Sequence, residues 1–274
     1  MIKFVKKIFI PAKLELGNGK KVTPPRSFTP YIILLLILVA FVSIKVTDFD
    51  VAVILKRGEQ FFAILEQMIP PDWSYVGAII KPLMDTIKMS LLGSFTGSLL
   101  AIPFAVLSAQ NMNDSKIVLM ITRFVLSILR TIPTLIIALI ATYIFDIGTL
   151  AGTIAIGIFS FAIVAKMLYE QIETVDMSSY EAMESIGASK TQAFITSVIP
   201  QITPSYLSIC LYTFEINVRY AAILGYVGAG GIGLLLDEKL GWREYDKVGM
   251  VIIMLFITVI IIESLSRYFR ERLT

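Results

Sequence analysis

The sequence predicts an all-α integral membrane protein with six transmembrane helices. Apolar residues make up 56% of the 274 residues and charged residues only 16%, whereas soluble domains are about half apolar and about one quarter charged. The mean hydropathy of +0.79 agrees with this interpretation. Crossing a bilayer takes about 20 apolar residues, and six stretches reach that length: 29–47, 84–109, 117–145, 149–169, 202–226 and 248–266.

Basic residues concentrate at the two ends of the chain. Seven lysines and arginines precede the first apolar stretch, and Arg267, Arg270 and Arg272 follow the last one. Because cytoplasmic segments carry the excess of Lys and Arg, both termini are predicted to be cytoplasmic, as an even number of spans requires. The net charge of +3 is too small to indicate a nucleic-acid partner.

We expect four parts along the chain. Residues 1–28 form a cytoplasmic basic tail, 29–47 the first transmembrane helix, 48–80 an external interfacial segment and 81–274 a five-helix core domain. In the interfacial segment, apolar residues share one face of a short helix that two prolines end. A tryptophan and a tyrosine just after the prolines suit the level of the lipid headgroups.

Residue content excludes several chemistries. The chain has no histidine, and its single cysteine, Cys210, lies in an apolar stretch where a buried role is expected. Disulfide frameworks, zinc sites and histidine-based catalysis are therefore excluded. The sequence GNGKK at Gly17 has Leu14 where a phosphate-binding loop needs its first glycine. We predict that the chain is not an enzyme and holds no cofactor of its own.

A glycine-rich stretch follows the fifth span. Gly228, Gly230 and Gly233 have the spacing of a dinucleotide-binding turn, and Gly231 lies among them. That turn needs a preceding strand in a parallel sheet, and no such sheet is predicted here. The stretch is expected to bend where backbones approach closely and to run into an external polar loop at 234–247. Two interpretations of this stretch are compatible with the sequence: a purely structural bend and a gate.

The predicted topology makes residues 170–200 the one substantial internal loop on the cytoplasmic side. The loop is acidic, although cytoplasmic loops usually favour Lys and Arg, and this anomaly predicts a protein partner. Two capping-box patterns, beginning at Ser178 and Ser189, predict two short helices, and Gly187 lies where the first helix needs a left-handed residue to end. A second interpretation of the first pattern is that Glu181 serves only to cap its own helix. The first helix would present a small apolar face of Ala182, Met183 and Ile186.

Ionisable residues lie inside the second, third and fifth predicted spans: Asp85, Lys88, Arg123, Arg130, Glu215 and Arg219. Such residues are costly in lipid and normally face protein, water or one another. Arg130 and Glu215 lie at similar depths, about 21 to 23 Å along their helices, so they can pair between spans. Glu215 can also pair with Arg219, four residues on. One arginine is then left to bind a carboxylate or phosphonate anion through its guanidinium fork, and we favour Arg219 for this role.

The cytoplasmic loop resembles the coupling motif of bacterial ABC import permeases, in which Glu-Ala-Ala precedes a glycine and, further on, an Ile-x-Leu-Pro sequence. Glu181, Ala182, Gly187 and Pro200 match this motif in register. Three positions depart from it, namely Met183, Ser197 and Ile199. The resemblance implies that this loop couples the membrane helices to an ATPase.

Residues 70–274 further resemble the phosphonate permease subfamily. Three stretches carry this resemblance: AIPFAVLSAQN from Ala101, LRTIPTL from Leu129 and LYTFEINVRYAAILGYVGAGGIG from Leu211. The resemblance implies the type I ABC importer permease fold, with a cytoplasmic coupling helix between spans 4 and 5. It also implies a homodimer in the bacterial cytoplasmic membrane, with two copies of an ATPase that binds ATP and Mg, and an extracytoplasmic solute-binding protein.

The implied function is ATP-driven import of a phosphonate or a related small oxyanion. Residues expected in the substrate pathway or its gate are Lys88, Arg130, Glu215, Asn217 and Arg219. Import of phosphite, a phosphate ester or an amino acid is an alternative, and so is an ion-coupled secondary transporter that uses Glu215. Because the chain has no histidine, no nucleophile with its base can be assembled for a membrane-embedded hydrolase.

Overall fold

A computed structural model describes residues 14–15, 17, 19–22 and 28–273. Most of the predicted basic tail, 1–28, therefore lies outside the described residues. The chain divides into two compact units, Met1–Ala63 and Ile64–Thr274.

The first unit contains two short strands and the first helix. Strands β1 (Leu14–Glu15) and β2 (Lys21–Val22) are antiparallel, with Leu14 opposite Val22. Helix α1 is Thr29–Val46, and its second residue is a proline, which is compatible with the first turn of a helix. Helix α2 then covers Val51–Gln67.

The second unit is helical. A 3-10 turn at Trp73–Tyr75 leads into α3, and another at Gly225–Val227 follows α9. A π turn at Phe194–Val198 joins α8 to α9. The helices are α3 (Val76–Ser108), α4 (Lys116–Thr131), α5 (Thr134–Phe145), α6 (Thr149–Glu173), α7 (Ser178–Ser185), α8 (Lys190–Ala193), α9 (Ile199–Leu224), α10 (Gly231–Gly241) and α11 (Tyr245–Leu273).

Among the described residues, five helical segments are long and apolar enough to cross a membrane, and a bent pair, α4 with α5, makes six if it counts as one span. The five segments are Thr29–Val46, Trp73–Ser108, Thr149–Glu173, Lys190–Val227 and Tyr245–Leu273. The all-α class with five or six spans is thus confirmed.

The third span is not the continuous helix that the apolar stretch 117–145 predicts. Helices α4 and α5 meet at an angle of 86°. The break falls at Pro133, because a residue before proline avoids the helical region and proline has no N–H to donate. Ile132 accordingly has an extended conformation, with ψ of 121°.

Helices α3 and α6 approach closely through small residues. A β-carbon on Gly97 would lie 2.3 Å from the carbonyl oxygen of Gly157, so only glycine fits there. The buried face of α3 continues through Ala101 and Ala105. Small residues at intervals of four let two helix backbones approach in a membrane, and this packing forms the centre of the second unit.

The prediction of an external polar loop at 234–247 is wrong for the first half of that range, because α10 covers Gly231–Gly241. The reason is tertiary packing. Leu235 and Leu236 pack against a buried apolar cluster that includes Ile79 and Met250. The helix therefore has an apolar face that the charged residues nearby obscure in the sequence.

The glycine-rich stretch reverses the chain between α9 and α10. Gly228 and Gly230 have left-handed φ values of 80° and 76°, which favour glycine. A β-carbon on Gly233 would lie 2.0 Å from the carbonyl oxygen of Ala222, so the start of α10 rests directly on the end of α9. The predicted bend with close backbone approach is present, and a gating role stays a prediction.

Candidate functional site

The cytoplasmic loop folds into a helical hairpin, residues 178–198, which we call the coupling segment. Gly187 ends α7 with φ of 91°, and its N–H donates to the carbonyl of Glu184 over 2.9 Å. The predicted capping box at Ser189 is confirmed, since its hydroxyl and backbone N–H both bond to Gln192. The two short helices and the left-handed glycine between them therefore occur as predicted.

The other predicted capping box, at Ser178, is wrong. Helix α7 begins after Met177 without a side-chain cap, and Asp176 instead accepts from the N–H and the hydroxyl of Ser178 at 3.0 and 2.6 Å. These hydrogen bonds, that from the hydroxyl first, hold the pKa of Asp176 below its ordinary value of 3.8. Glu181 is therefore not needed as a cap. Its side chain is exposed and forms no ion pair within the part of the chain that the structure describes.

One face of the coupling segment packs against the membrane helices and the other is open. Tyr180 and Ala193 are buried in an apolar cluster with Leu168 and Ile172 of α6. Met183 packs against this same cluster, so its predicted place on the free apolar face is wrong. The open face carries Glu181, Ala182, Ile186 and Gly187.

Polar contacts fix the segment to the start of α9. Gln201 of α9 donates to the carbonyl of Ser197 over 2.8 Å and to that of Asp176, just before the segment, over 3.3 Å. Within the segment, the hydroxyl of Ser197, where the coupling motif has isoleucine, donates to the carbonyl of Ser179 over 3.2 Å. Pro200 is exposed in the first turn of α9, where its missing N–H costs nothing. The coupling segment is therefore in direct contact with α9.

Arg123, in the middle of α4, connects this helix to the C-terminal ends of α3 and α6. Its guanidinium donates to the carbonyl of Ser108 at 2.9 and 2.7 Å, forms an ion pair with Glu173 and lies 4.9 Å from the ring centre of Tyr169. Sequence reasoning placed Arg123 inside a span but gave it no role. The signal was Glu173, an acidic residue at the end of a neighbouring span, but only the fold shows that they meet.

The charged residues of α9 form a network with α11. Glu215, 6% exposed, accepts from Arg219 over 2.6 Å and from Arg270 over 3.1 Å. Arg219 also lies 3.3 Å from Glu263, which pairs with Arg267 at 2.9 Å. The predicted pair of Glu215 with Arg219 is present. Arg219 contacts two carboxylates, but Glu215 and Glu263 also contact Arg270 and Arg267. Three arginines thus share two carboxylates, and the role of Arg219 as an anion ligand stays a prediction.

The predicted ion pair between Arg130 and Glu215 is wrong. Both oxygens of Glu215 accept from other arginines. Arg130 forms no ion pair within the described residues, and it lines a cavity of about 350 Å³ together with Thr131, Thr134 and Tyr220. Equal depth along two helices did not place the two residues together, because α4 ends one residue after Arg130 and the chain turns away at the break.

The other two predicted pathway residues occupy different surroundings. Asn217 is fully buried, and its amide donates to the hydroxyls of Ser94 and Ser160, each over 2.7 Å, which links α9 to α3 and α6. Lys88 is 66% exposed and lies 3.9 Å from Asp85. The structure therefore does not bring the five predicted pathway residues into one site.

Comparison with known proteins identifies the family. The family described as "binding-protein-dependent transport system inner membrane component" matches residues 101–274. The chain is 31% identical over 222 residues to the phosphite transport system permease protein PtxC of Stutzerimonas stutzeri, a match that covers 81% of each protein. It is also 32% identical over 211 residues to the phosphate-import permease protein PhnE of Mycolicibacterium smegmatis, covering 77% of this chain and 40% of that relative.

A solved structure agrees on the fold. The MetNI methionine ABC transporter, in an inward-facing conformation, matches with a TM-score of 0.65 and 20% identity, over 74% of this chain and 99% of that chain. The second unit thus has the type I ABC importer permease fold. An ATPase subunit and a solute-binding protein are the partners that this family implies. The chain belongs to the binding-protein-dependent transport system inner membrane components and is the permease subunit, not the ATPase, of an ABC transporter.

Proposed function

We propose that this permease imports a small phosphorus oxyanion, either a phosphonate or phosphite. The names of the relatives, which specify phosphite and phosphate, support this substrate class. The stretch from Leu211 to Gly233 supports the phosphonate branch. Both substrates are tetrahedral anions, so one cationic site with hydrogen-bond donors suits either of them.

The open face of the coupling segment is the single observation that carries the transport mechanism. Its buried face packs on Ile172 of α6 and Ile202 of α9, while Glu181 is exposed and has no ion pair among the described residues. A rigid helical hairpin passes on a rigid-body movement that a flexible loop would absorb. On this proposal, ATP-driven closure of the ATPase moves α9 through the coupling segment.

The proposed assembly is a homodimer of this chain with two ATPase copies on the cytoplasmic side, where ATP and Mg bind. A solute-binding protein docks on the opposite side of the membrane. Both termini of the permease are cytoplasmic, which places the coupling segment beside the ATPase. The ion-coupled alternative finds no support, because Glu215 has two arginine partners and offers no free carboxylate to a coupling ion.

The test is ATP hydrolysis by the permease reconstituted in liposomes with its ATPase and binding protein. We expect hydrolysis to rise with 2-aminoethylphosphonate or with phosphite and to stay at its basal rate with phosphate. Stimulation by one of the first two anions identifies the substrate branch. Stimulation by none of the three anions would refute the proposed substrate class, and stimulation by phosphate alone would refute the choice of a phosphonate or phosphite.

A further inference from the structure

Of the three arginines inside the spans predicted from the sequence, one has no carboxylate partner among the described residues. Arg123 pairs with Glu173, and Arg219 pairs with Glu215 and Glu263. Arg130, at the end of α4, has no acidic partner among the residues that the structure describes. An arginine inside a span is costly unless a partner compensates it, so a partner from outside the chain is expected.

Arg130 lies at the break between α4 and α5, where the cavity of about 350 Å³ opens beside it. Small-molecule sites usually have volumes of about 300 to 1,000 Å³. Phe159 of α6 and Tyr220 of α9 form the opposite wall, with their rings edge to face and 5.5 Å apart. Four helices, α4, α5, α6 and α9, thus border a cavity of sufficient size for a small anion.

The polar groups of the cavity are those that an anion requires. Neither Asp nor Glu lines it, whereas Arg130, Thr134 and Tyr220 do. Within the described part of the chain, the hydroxyls of Thr134 and Tyr220 form no hydrogen bond and are available to donate. Helix α5 begins at Thr134 without a side-chain cap, so the positive end of its dipole adds to the charge of Arg130.

The geometry points to this cavity as the intramembrane binding site for the transported oxyanion. The guanidinium of Arg130 would donate two parallel hydrogen bonds to two oxygens of the anion, and the hydroxyl of Tyr220 would donate to a third. Discontinuous helices bind anionic groups at their broken ends in other membrane transporters by the same physics. This inference rests on the proposed function, because it assigns the site to the same substrate.

The test separates substrate handling from assembly by measuring two rates in one reconstituted transporter. One is uptake of radiolabelled phosphite or 2-aminoethylphosphonate, and the other is ATP hydrolysis stimulated by the loaded binding protein. The variants are Arg130→Gln, Arg130→Lys and Tyr220→Phe, the last of which keeps the ring against Phe159. Arg272→Gln is the matched control, since Arg272 lines a separate and largely apolar cavity near the end of α11.

We expect Arg130→Gln to keep stimulated hydrolysis within about twofold of the wild type and to lower uptake per ATP hydrolysed at least tenfold. Arg130→Lys should lose less uptake per ATP than Arg130→Gln, because lysine keeps the charge but lacks the two-pronged guanidinium. Tyr220→Phe should lower uptake per ATP by about threefold to tenfold, and Arg272→Gln should leave it unchanged.

Unchanged uptake per ATP in both Arg130→Gln and Tyr220→Phe overturns the assignment of the site. A loss of uptake and hydrolysis in equal proportion in all three variants also overturns it, because it indicates a structural role. A wild-type transporter that takes up neither anion refutes the proposed function itself, which distinguishes that failure from a failure of this site.

Discussion

At the scale of single residues, the buried amide of Asn217 joins three helices. It donates to Ser94 and Ser160, and it is fully buried. Interhelical hydrogen bonds in membrane proteins average about 0.6 kcal/mol each, so Asn217→Ala should cost about 1 to 2 kcal/mol once lost packing is included. Thermal unfolding in detergent measures this cost. Thr142→Ala, which removes a hydroxyl bonded only to its own helix, is the control that should stay close to the wild type.

The carboxylates of the α9–α11 network should differ sharply in their contribution to stability. Glu215→Gln leaves Arg219 and Arg270 without their buried counter-charge, and we expect a loss of about 2 to 3 kcal/mol, below the ~3–5 kcal/mol of fully buried pairs. Glu263 is 36% exposed, so Glu263→Gln should cost at most about 1 kcal/mol. Urea or thermal unfolding of the two variants would contradict this account if their losses were equal.

How far single residues could be predicted depended on whether their partners were close in sequence. Glu215 and Arg219 are four residues apart, so helical periodicity alone predicted their ion pair. Arg270 and Glu263 approach α9 only because α11 packs against it, and no local pattern encodes that contact. Arg130 was wrongly paired because a depth estimate gives height in the membrane but not direction around the bundle.

At the scale of elements, the coupling segment shows why an exposed acidic residue can matter without affecting the fold. Glu181→Arg reverses the charge on the open face, where Glu181 contributes neither a cap nor an ion pair among the described residues. We expect normal membrane insertion, loss of ATPase association in a detergent pull-down, and loss of uptake. Asp237→Arg on α10 makes the same charge change at an exposed site on another element. Retention of the ATPase by Glu181→Arg would contradict the docking role.

The start of α7 should respond to acid through Asp176. Its folded-state pKa is depressed, so its stabilising contribution is complete above the ordinary value of 3.8 and is lost as the pH falls through the lowered pKa. Asp176→Asn keeps an acceptor but does not titrate. Proteolysis of the coupling segment should therefore be faster in Asp176→Asn than in the wild type near neutral pH. A difference that persisted at pH values well below the lowered pKa would show that ionisation is not its cause.

The contact between α9 and α10 depends on the absence of a side chain. A β-carbon on Gly233 would meet the backbone of Ala222 at 2.0 Å, whereas one on Gly241 meets nothing within 4 Å. Overpacking typically costs about 1 to 3 kcal/mol, and we expect Gly233→Ala to lose at least that much. Gly241→Ala should be neutral or slightly stabilising, because alanine favours the helix. Thermal unfolding of the two variants compares them, and equal midpoints would argue against the contact.

The helices themselves were predicted with uneven success for identifiable reasons. Long apolar runs gave the positions of five spans, since length and hydropathy are local properties. The break at Pro133 was visible as a proline, but the apolar run on both sides of it concealed a turn of 86°. Helix α10 was missed because its apolar face is short and is flanked by charged residues, so only the packing of Leu235 and Leu236 identifies it.

At the scale of the whole molecule, the proposed mechanism requires the coupling segment and the loop after α10 to lie on opposite sides of the membrane. Ile186 is 79% exposed and Trp242 is 75% exposed, so each accepts a cysteine without loss of packing. After Cys210→Ala, the variants Ile186→Cys and Trp242→Cys each carry one thiol. In right-side-out vesicles, a membrane-impermeant maleimide should label Trp242→Cys and leave Ile186→Cys unlabelled until the vesicles are opened.

The physical basis of this expectation is the excess of arginine at the end of α11, which predicts that this end and the coupling segment lie on the cytoplasmic side. Labelling of Ile186→Cys in sealed vesicles would place the coupling segment outside the cell, away from ATP, and would refute the proposed docking to the ATPase. Labelling of neither variant until the vesicles are opened would place the loop after α10 on the cytoplasmic side and would contradict the proposed topology. The expected pattern requires the chain to cross the membrane an odd number of times between residues 186 and 242, and α9 is the described helix that can make this crossing.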